Sequence, residues 1–329
     1  MKTLIFGGTG FVGLNAAERL LSQGEAVVLF DRLPLPDAAV AAFAGLPGSL
    51  DIVQGDVTDA EAVARALTRE IDDVLLGSAV TADAARETRD PETILQINLA
   101  ALAPILRAAR DAGVRRIVNL SSAAAYGRAA MNVAQVDETV APQPAGLYGI
   151  TKFASEMIGA RMAELWSLDF VSLRLSAVFG PWERATGVRD TTSAQFQITE
   201  AARLGKPAVL ARPGMRDWIY APDVARAVHA VLQADSLAHR VYNVSAPESW
   251  SALDWGRQLA ARRPGFECRL AQQGETPTID LHSAADRGAL SVERLQEELG
   301  WQAGFGLAES VLHLDEWCRR HGPSSKGTP

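Results

Sequence analysis

The chain has only two cysteines, Cys268 and Cys318, in 329 residues. Two thiols so far apart build no disulfide framework and lack metal-ligand spacing, so they read as structural thiols in a reducing compartment. The histidines (His229, His239, His282, His313 and His321) are scattered and form no ligand set with carboxylates. No metal is therefore expected. No apolar run reaches the ~18 residues needed to cross a bilayer. The N-terminus lacks the basic flank and small-residue cleavage site of an export signal, so we expect a cytoplasmic protein with no membrane partner. The net charge of -7 disfavours nucleic-acid backbones as partners. There is no internal repeat and no low-complexity segment.

What is present suits a soluble globular enzyme: 48% of residues are apolar and 22% charged. The length predicts two lobes or one elaborated α/β domain. Leu4-Ile5-Phe6 reads as a strand, and Phe11, Leu14, Ala17, Leu20 and Leu21 recur at helical spacing behind it. Gly24 closes that helix, and Ala26 to Phe30 form a second strand ending at Asp31. A loop rich in Pro, Ala and Gly is expected over 33–49. Ile52-Val53, Val74 to Leu76, Ile117 to Leu120 and Phe170 to Leu175 supply further strands. Helices alternate with them from about Asp59 to Leu67, Pro91 to Ala112 and Tyr148 to Leu165. This order predicts a Rossmann-type doubly wound parallel sheet, covered by helices on both faces. We expect residues 1–175 to form a dinucleotide-binding domain, with 222–246 returning to it. Residues 176–221 and 247–322 would form a smaller α/β substrate lobe, and 323–329 a frayed tail.

Gly7-Gly8-Thr9-Gly10-Phe11-Val12-Gly13 joins the first strand to the first helix. Glycine is needed where the backbone turns tightly and where amides approach a pyrophosphate. The helix N-terminus adds a partial positive charge. Gly7, Gly10, Phe11, Val12 and Gly13 are thus candidates to hold a dinucleotide. Asp31, at the end of the second strand, stands near the ~20-residue offset of the acid that binds the adenosine ribose. A carboxylate there repels a 2′-phosphate and favours NAD over NADP. Arg32 argues the other way, since a guanidinium pairs with phosphate, but the carboxylate weighs more. Gly55-Asp56-Val57 follows the third strand, where an adenine would lie. Asp56 could accept from its amino group, and Asp is equally a routine turn residue.

Tyr148-Gly149-Ile150-Thr151-Lys152 places a tyrosine and a lysine four apart on one helix face. Oxidising an alcohol needs a base for the hydroxyl proton. Lowering a phenol from ~10 to ~7 takes about 4 kcal/mol. One ammonium at ~4 Å supplies about that much at an effective dielectric of 20. Ser122, just past the fifth strand, can hydrogen-bond the reacting oxygen. Such residues at the carboxyl ends of strands stand where open α/β sheets bind ligands.

Taken together, the chain resembles an extended short-chain dehydrogenase/reductase of the NAD-dependent epimerase/dehydratase family, over nearly its whole length. Gly7, Gly10 and Gly13 match the family's glycine motif. The serine motif matches Ser121 to Gly127 and puts the catalytic serine on Ser122; Tyr148 and Lys152 match the base and its partner. The resemblance also implies a cofactor-side role for Asn98, Ser78 and Ala79. Arg174 to Pro181, Arg216-Asp217-Trp218-Ile219, Asp223-Val224-Ala225 and Leu299-Gly300-Trp301 match substrate-lobe and C-terminal signatures.

The departures bear on substrate. Ala123 and Ala124 stand where dehydratases carry acids, which excludes dehydration. Ala177 replaces an asparagine that contacts a diphosphate, while Arg216 keeps the matching arginine. That arginine could grip a diphosphate or the carboxylate of a sugar acid, or form an ion pair with Asp217 or Asp223. Gly77-Ser78-Ala79 replaces the usual His-Leu-Ala. Ser122, Ala123, Ala177, Arg184 and Arg216 are the candidates for contacting substrate, with Trp182 and Arg189 nearby in the loop where specificity residues lie.

The resemblance implies NAD-dependent hydride transfer at a secondary alcohol of a sugar, with a nucleotide-sugar epimerase favoured. An NAD-dependent dehydrogenase of a free sugar or sugar acid is the alternative. A non-catalytic NAD-binding sensor is a remoter one, because sensors commonly lose the Tyr/Lys pair. Relatives often dimerise through two helices per subunit, here those from Pro91 and Tyr148. Their faces carry Ile94, Leu95, Leu102, Ile105, Met157, Ile158 and Met162.

Overall fold

The structure, a computed structural model, describes residues 1–321. The tail expected over 323–329 lies outside the described residues. Seven parallel strands form the central sheet: β1 (Lys2–Phe6), β2 (Ala26–Asp31), β3 (Ser49–Gln54), β4 (Asp73–Leu76), β5 (Arg116–Ser122), β6 (Phe170–Leu175) and β7 (Val241–Val244). Their order is β7-β6-β5-β4-β1-β2-β3. The order reverses between β1 and β4, and the crevice outside the strand ends at that point is where this architecture takes ligands.

Helices cover both faces. On one, α1 (Phe11–Ser22) packs with Leu14, Leu20 and Leu21 against Val224, Val228 and Val231 of α4 (Ala221–Gln233). On the other, Leu102, Ile105 and Leu106 of α2 (Leu102–Ala112) pack on Leu4, Val74 and Ile117. Beside α2 lies α3 (Leu147–Trp166), which carries the Tyr148 and Lys152 turns. Because both faces are covered, β4 and β6 are buried along their whole length, and β1 is buried from Thr3 onward. The residues after β6 build a second cluster, in which Phe179 meets Trp255 and Trp250 edge-on at 5.1 and 5.4 Å.

Three local expectations are corrected. The segment 33–49 is not all loop: Asp37–Phe43 is helical and packs Ala39 and Phe43 into the core. The flanking prolines disguise it, yet Pro36 is its extended N-cap and ends nothing. The third strand begins at Ser49, before Ile52. It is the open edge of the sheet, so it lacks the apolar run that marks the central strands. The helix from Pro91 is not uniform: an α turn (Pro91–Leu95) and α2 flank a π-helical turn, Gln96–Ala100.

Candidate active site

The glycine turn between β1 and α1 is shaped by sterics. Gly7 has φ +73°, and a Cβ there would come within 2.7 Å of the Ser78 backbone nitrogen. A Cβ on Gly13 would overlap the carbonyl oxygen of Gly7. The turn therefore lies flush against the β4 loop, with no side chain between. Gly10 caps α1 without a side-chain hydrogen bond, and no acid occupies the first turn. The positive end of a twelve-residue helix is thus open toward the crevice.

Asp31 stands beside this turn at the tip of β2. Its Oδ2 accepts from the Thr9 amide at 3.1 Å and its Oδ1 from Leu33 N at 3.1 Å. Arg32 turns away to Asp56, 4.0 Å distant. Asp56 itself accepts from the amide and hydroxyl of Thr58, and these bonds, ahead of Arg32, hold its carboxyl below the usual range. One cleft is lined by Gly7, Gly10, Asp31, Arg32, Asp56, Val57, Ser78 and Ala79. It shares Gly7, Gly10, Gly77, Ala79 and Val188 with a second stretch, lined also by Phe11, Val12, Gly13, Tyr148, Lys152, Arg184 and Arg189. The crevice thus runs from the Asp31 tip to the Tyr148 turn. A carboxylate at one end, an unobstructed amide turn in the middle and a phenol at the other fit an extended dinucleotide.

Asn98 lies behind the crevice, in the π-helical turn. Its side chain accepts from Val80 N, and it donates to Val80 O and to Thr151 Oγ1. It fastens the β4 loop to the turn of α3 that separates Tyr148 from Lys152. A π turn at a functional position is common.

At the reactive end, Ser122 Oγ accepts from Ala124 N at 3.1 Å, which leaves its hydroxyl proton to donate elsewhere. Lys152 is buried and donates from Nζ to Leu120 O at 2.7 Å. Burial lowers it to about 8, partly countered by Glu156. The Tyr148 phenol departs from expectation. Burial pushes it up, while Ser122, Arg189 and Thr81 pull it down. Lys152 Nζ lies 5.8 Å from the ring centroid and donates to a backbone carbonyl.

Several loop residues find other places than a specificity loop implies. Trp182 is 4% exposed, donates to Glu18 Oε2 and meets Phe43 and Trp317 edge-on. It is core. Arg184 donates to Thr9 O at 2.6 Å, on the cofactor side of the crevice. Arg189 pairs with Glu183 at 2.9 Å and lies 5.1 Å over the Phe11 ring. Around it, Thr81 N donates to Val188 O and Asp190 N to Thr81 O, while Arg86 pairs with Asp190 at 2.7 Å. The 183–190 segment is thereby strapped to the β4 loop across the crevice. Thr81 and Glu183 carry no motif, and nothing in the sequence singles them out.

Ala123 packs in a small apolar cluster with Tyr126 and Ala130, and Ala177 packs against the second-lobe core. Among the described residues, Arg216 makes no ion pair with Asp217 or Asp223. Asp217 is taken by Arg287 at 2.8 Å, Ser245 and Leu290 N; Asp223 is taken by Arg226, Gly304 N and Phe305 N. Arg216 instead lies over the Trp218 ring at 5.4 Å. Burial, with Arg287 beside it, lowers it to about 10. A guanidinium so placed is ready for an anionic ligand.

The sequence model of the NAD dependent epimerase/dehydratase family matches residues 3–245. The UDP-glucose 4-epimerase of Mycolicibacterium smegmatis is 26% identical over 97% of this chain and 99% of its own. The dTDP-glucose 4,6-dehydratase of Xanthomonas campestris pv. campestris (strain B100) is 24% identical over 95% of this chain and 92% of its own. Among solved structures, MoeE5 in complex with UDP-glucuronic acid and NAD superposes with a TM-score of 0.77 at 27% identity, over 97% of this chain and 99% of that one.

Proposed function

Since the chain belongs to the NAD-dependent epimerase/dehydratase family, as an extended short-chain dehydrogenase/reductase, we propose that it epimerises a secondary alcohol of a UDP-linked sugar, as a cytoplasmic homodimer. The observation that carries this reading is the crevice that brings the Gly7–Gly13 turn and the Tyr148/Lys152 turn into one continuous site at the strand-order reversal. NAD, when bound, supplies the hydride acceptor for the sugar carbon. The Gly7–Gly13 amides and the α1 N-terminus would hold its pyrophosphate, and Asp31 its adenosine ribose.

Tyr148, in its phenolate form, takes the alcohol proton and later returns it. Ser122, with its hydroxyl proton free, holds the sugar oxygen toward Tyr148. The Lys152 ammonium, fixed by Leu120 O, keeps the phenolate favoured once water is excluded. Arg216 supplies the charge for the diphosphate, since the Ala177 methyl has no hydrogen bond to offer it.

For the dimer, Leu95, Met157 and Ile158 support the reading, at 42%, 58% and 36% exposed. Ile94, Leu102 and Ile105 are buried within the single chain and cannot belong to that face.

Incubation of the purified protein with NAD and UDP-glucose, UDP-galactose, UDP-glucuronic acid or free sugars, followed by NMR, tests the proposal. Exchange between epimers with no net NADH supports it. NADH release from a free sugar acid, without exchange of any nucleotide sugar, refutes it.

A further inference from the structure

Glu156 lies one turn beyond Lys152, so Tyr148, Lys152 and Glu156 share one face of α3 at intervals of four. It is 4% exposed. Its carboxylate receives Nε of Arg174 at 3.0 and 3.2 Å and Nη2 at 2.6 Å. It also receives the Ser121 hydroxyl, from the residue between Leu120, which binds Lys152, and Ser122. Arg174, on β6, lies 4.6 Å over the Tyr126 ring. One carboxylate thus ties the end of β5, the β6 strand and the reactive face of α3.

We infer that Glu156 is a positioning residue for the reaction: it registers the end of β5 against Tyr148 and Lys152, and it supplies the counter-charge of the buried Lys152 ammonium. A pair serving only to fill the core would need neither a lysine beside it nor a bond to the strand end that carries Ser122. The groups around Lys152 are few. Leu120 O and Ser121 come from β5, Tyr148 and Glu156 from α3, Arg174 from β6 behind Glu156, and Arg189 from the strap near Tyr148. Glu156 is the only carboxylate among them. In accord with this, burial lowers Lys152 and Glu156 raises it.

The inference concerns the site on which the proposed epimerisation rests, but its test does not use that reaction. The chain has four lysines, Lys2, Lys152, Lys206 and Lys326, so 13Cε-lysine NMR resolves Lys152 in the substrate-free protein. Lys152→Met assigns its signal. In Glu156→Gln we expect the Lys152 midpoint to fall by about one pH unit or more, consistent with loss of a close opposite charge. Glu156→Asp should hold it near the native value. Should the single change fail to fold, Glu156→Gln/Arg174→Met removes both buried charges together, which cores tolerate better than one alone; the midpoint should still fall, by less than in the single variant, because the Arg174 charge that opposed Glu156 leaves with it. With a substrate in hand, Glu156→Gln should lower kcat roughly 10–100-fold with KM little changed, as misplacement of reacting groups does. A Lys152 midpoint unmoved in both Glu156→Gln and the double variant overturns the inference, whatever happens to turnover.

Discussion

Asn98 holds both backbone groups of Val80, accepting from its N–H at 2.7 Å and donating to its carbonyl at 3.0 Å. The grip is buried, so Asn98→Ala leaves two polar groups without partners. A loss of about 2–4 kcal/mol follows, read by urea unfolding. Asn98→Asp keeps the acceptor but loses the donors, and is expected to fall between the native protein and Asn98→Ala.

Lys152 gives a stability prediction of opposite sign. It ionises near 10.5 when unfolded and is lowered to about 8 in the fold. Between pH 8 and 10.5 the unfolded chain binds more protons, so stability rises with pH across that window; below pH 8 the full cost of the buried charge is present. Lys152→Met should therefore stabilise the protein at pH 7, by on the order of 3 kcal/mol, while abolishing turnover. Unfolding curves at pH 7 and pH 10 check it: the gain should shrink at the higher pH.

Tyr148→Phe removes the proton acceptor without changing the shape of the turn. Turnover should drop at least ~10³-fold, near the upper range for a general base, with NAD binding retained. An NAD-binding sensor would lose nothing, which separates that reading by isothermal titration beside an activity assay.

Asp31→Ala should weaken NAD binding about 10–100-fold and lift the penalty against NADP, because a ribose acceptor and a repulsive charge vanish together. Dissociation constants for both cofactors measure it. Equal losses for both would mean that Asp31 serves only the Thr9 and Leu33 amides it already holds.

Arg216→Leu should raise KM for a nucleotide sugar ~100-fold, the scale of a charge-assisted hydrogen bond of ~3 kcal/mol, and leave kcat within a few-fold. Inhibition by UDP should weaken in parallel. If Arg216 served only to stack on Trp218, neither constant would move, and thermal stability would.

The parts legible in the sequence share one property: their signal is local. Gly7, Gly10 and Gly13 sit between an apolar run and a helical period, and Tyr148 and Lys152 sit on one helix face. Each can be placed from neighbours a few positions away. What escapes such reading depends on partners distant along the chain. Glu156 meets Arg174 and Ser121 only after β5 and β6 have paired. Trp182 reads as a loop residue because its partners, Glu18, Phe43 and Trp317, lie far off in sequence. The Asp37–Phe43 helix is short and masked by Pro34 and Pro36, residues that break helices only when they stand inside them. The bond from Lys152 Nζ to Leu120 O escapes for a different reason. Position along a helix gives the face but not the direction of a long side chain.

The strap from Glu183 to Asp190 bears on how often the crevice can open. Its Val188 and Arg189 line that crevice, and its two backbone bonds to Thr81 and its Arg86–Asp190 pair are expected to part when a dinucleotide is exchanged, which hydrogen exchange at the Thr81 and Asp190 amides would read. A catalyst that exports reducing equivalents would have to unfasten this buckle every cycle. One that gives each hydride back to the molecule it came from never needs to, and can keep the same nicotinamide aboard for one visitor after another.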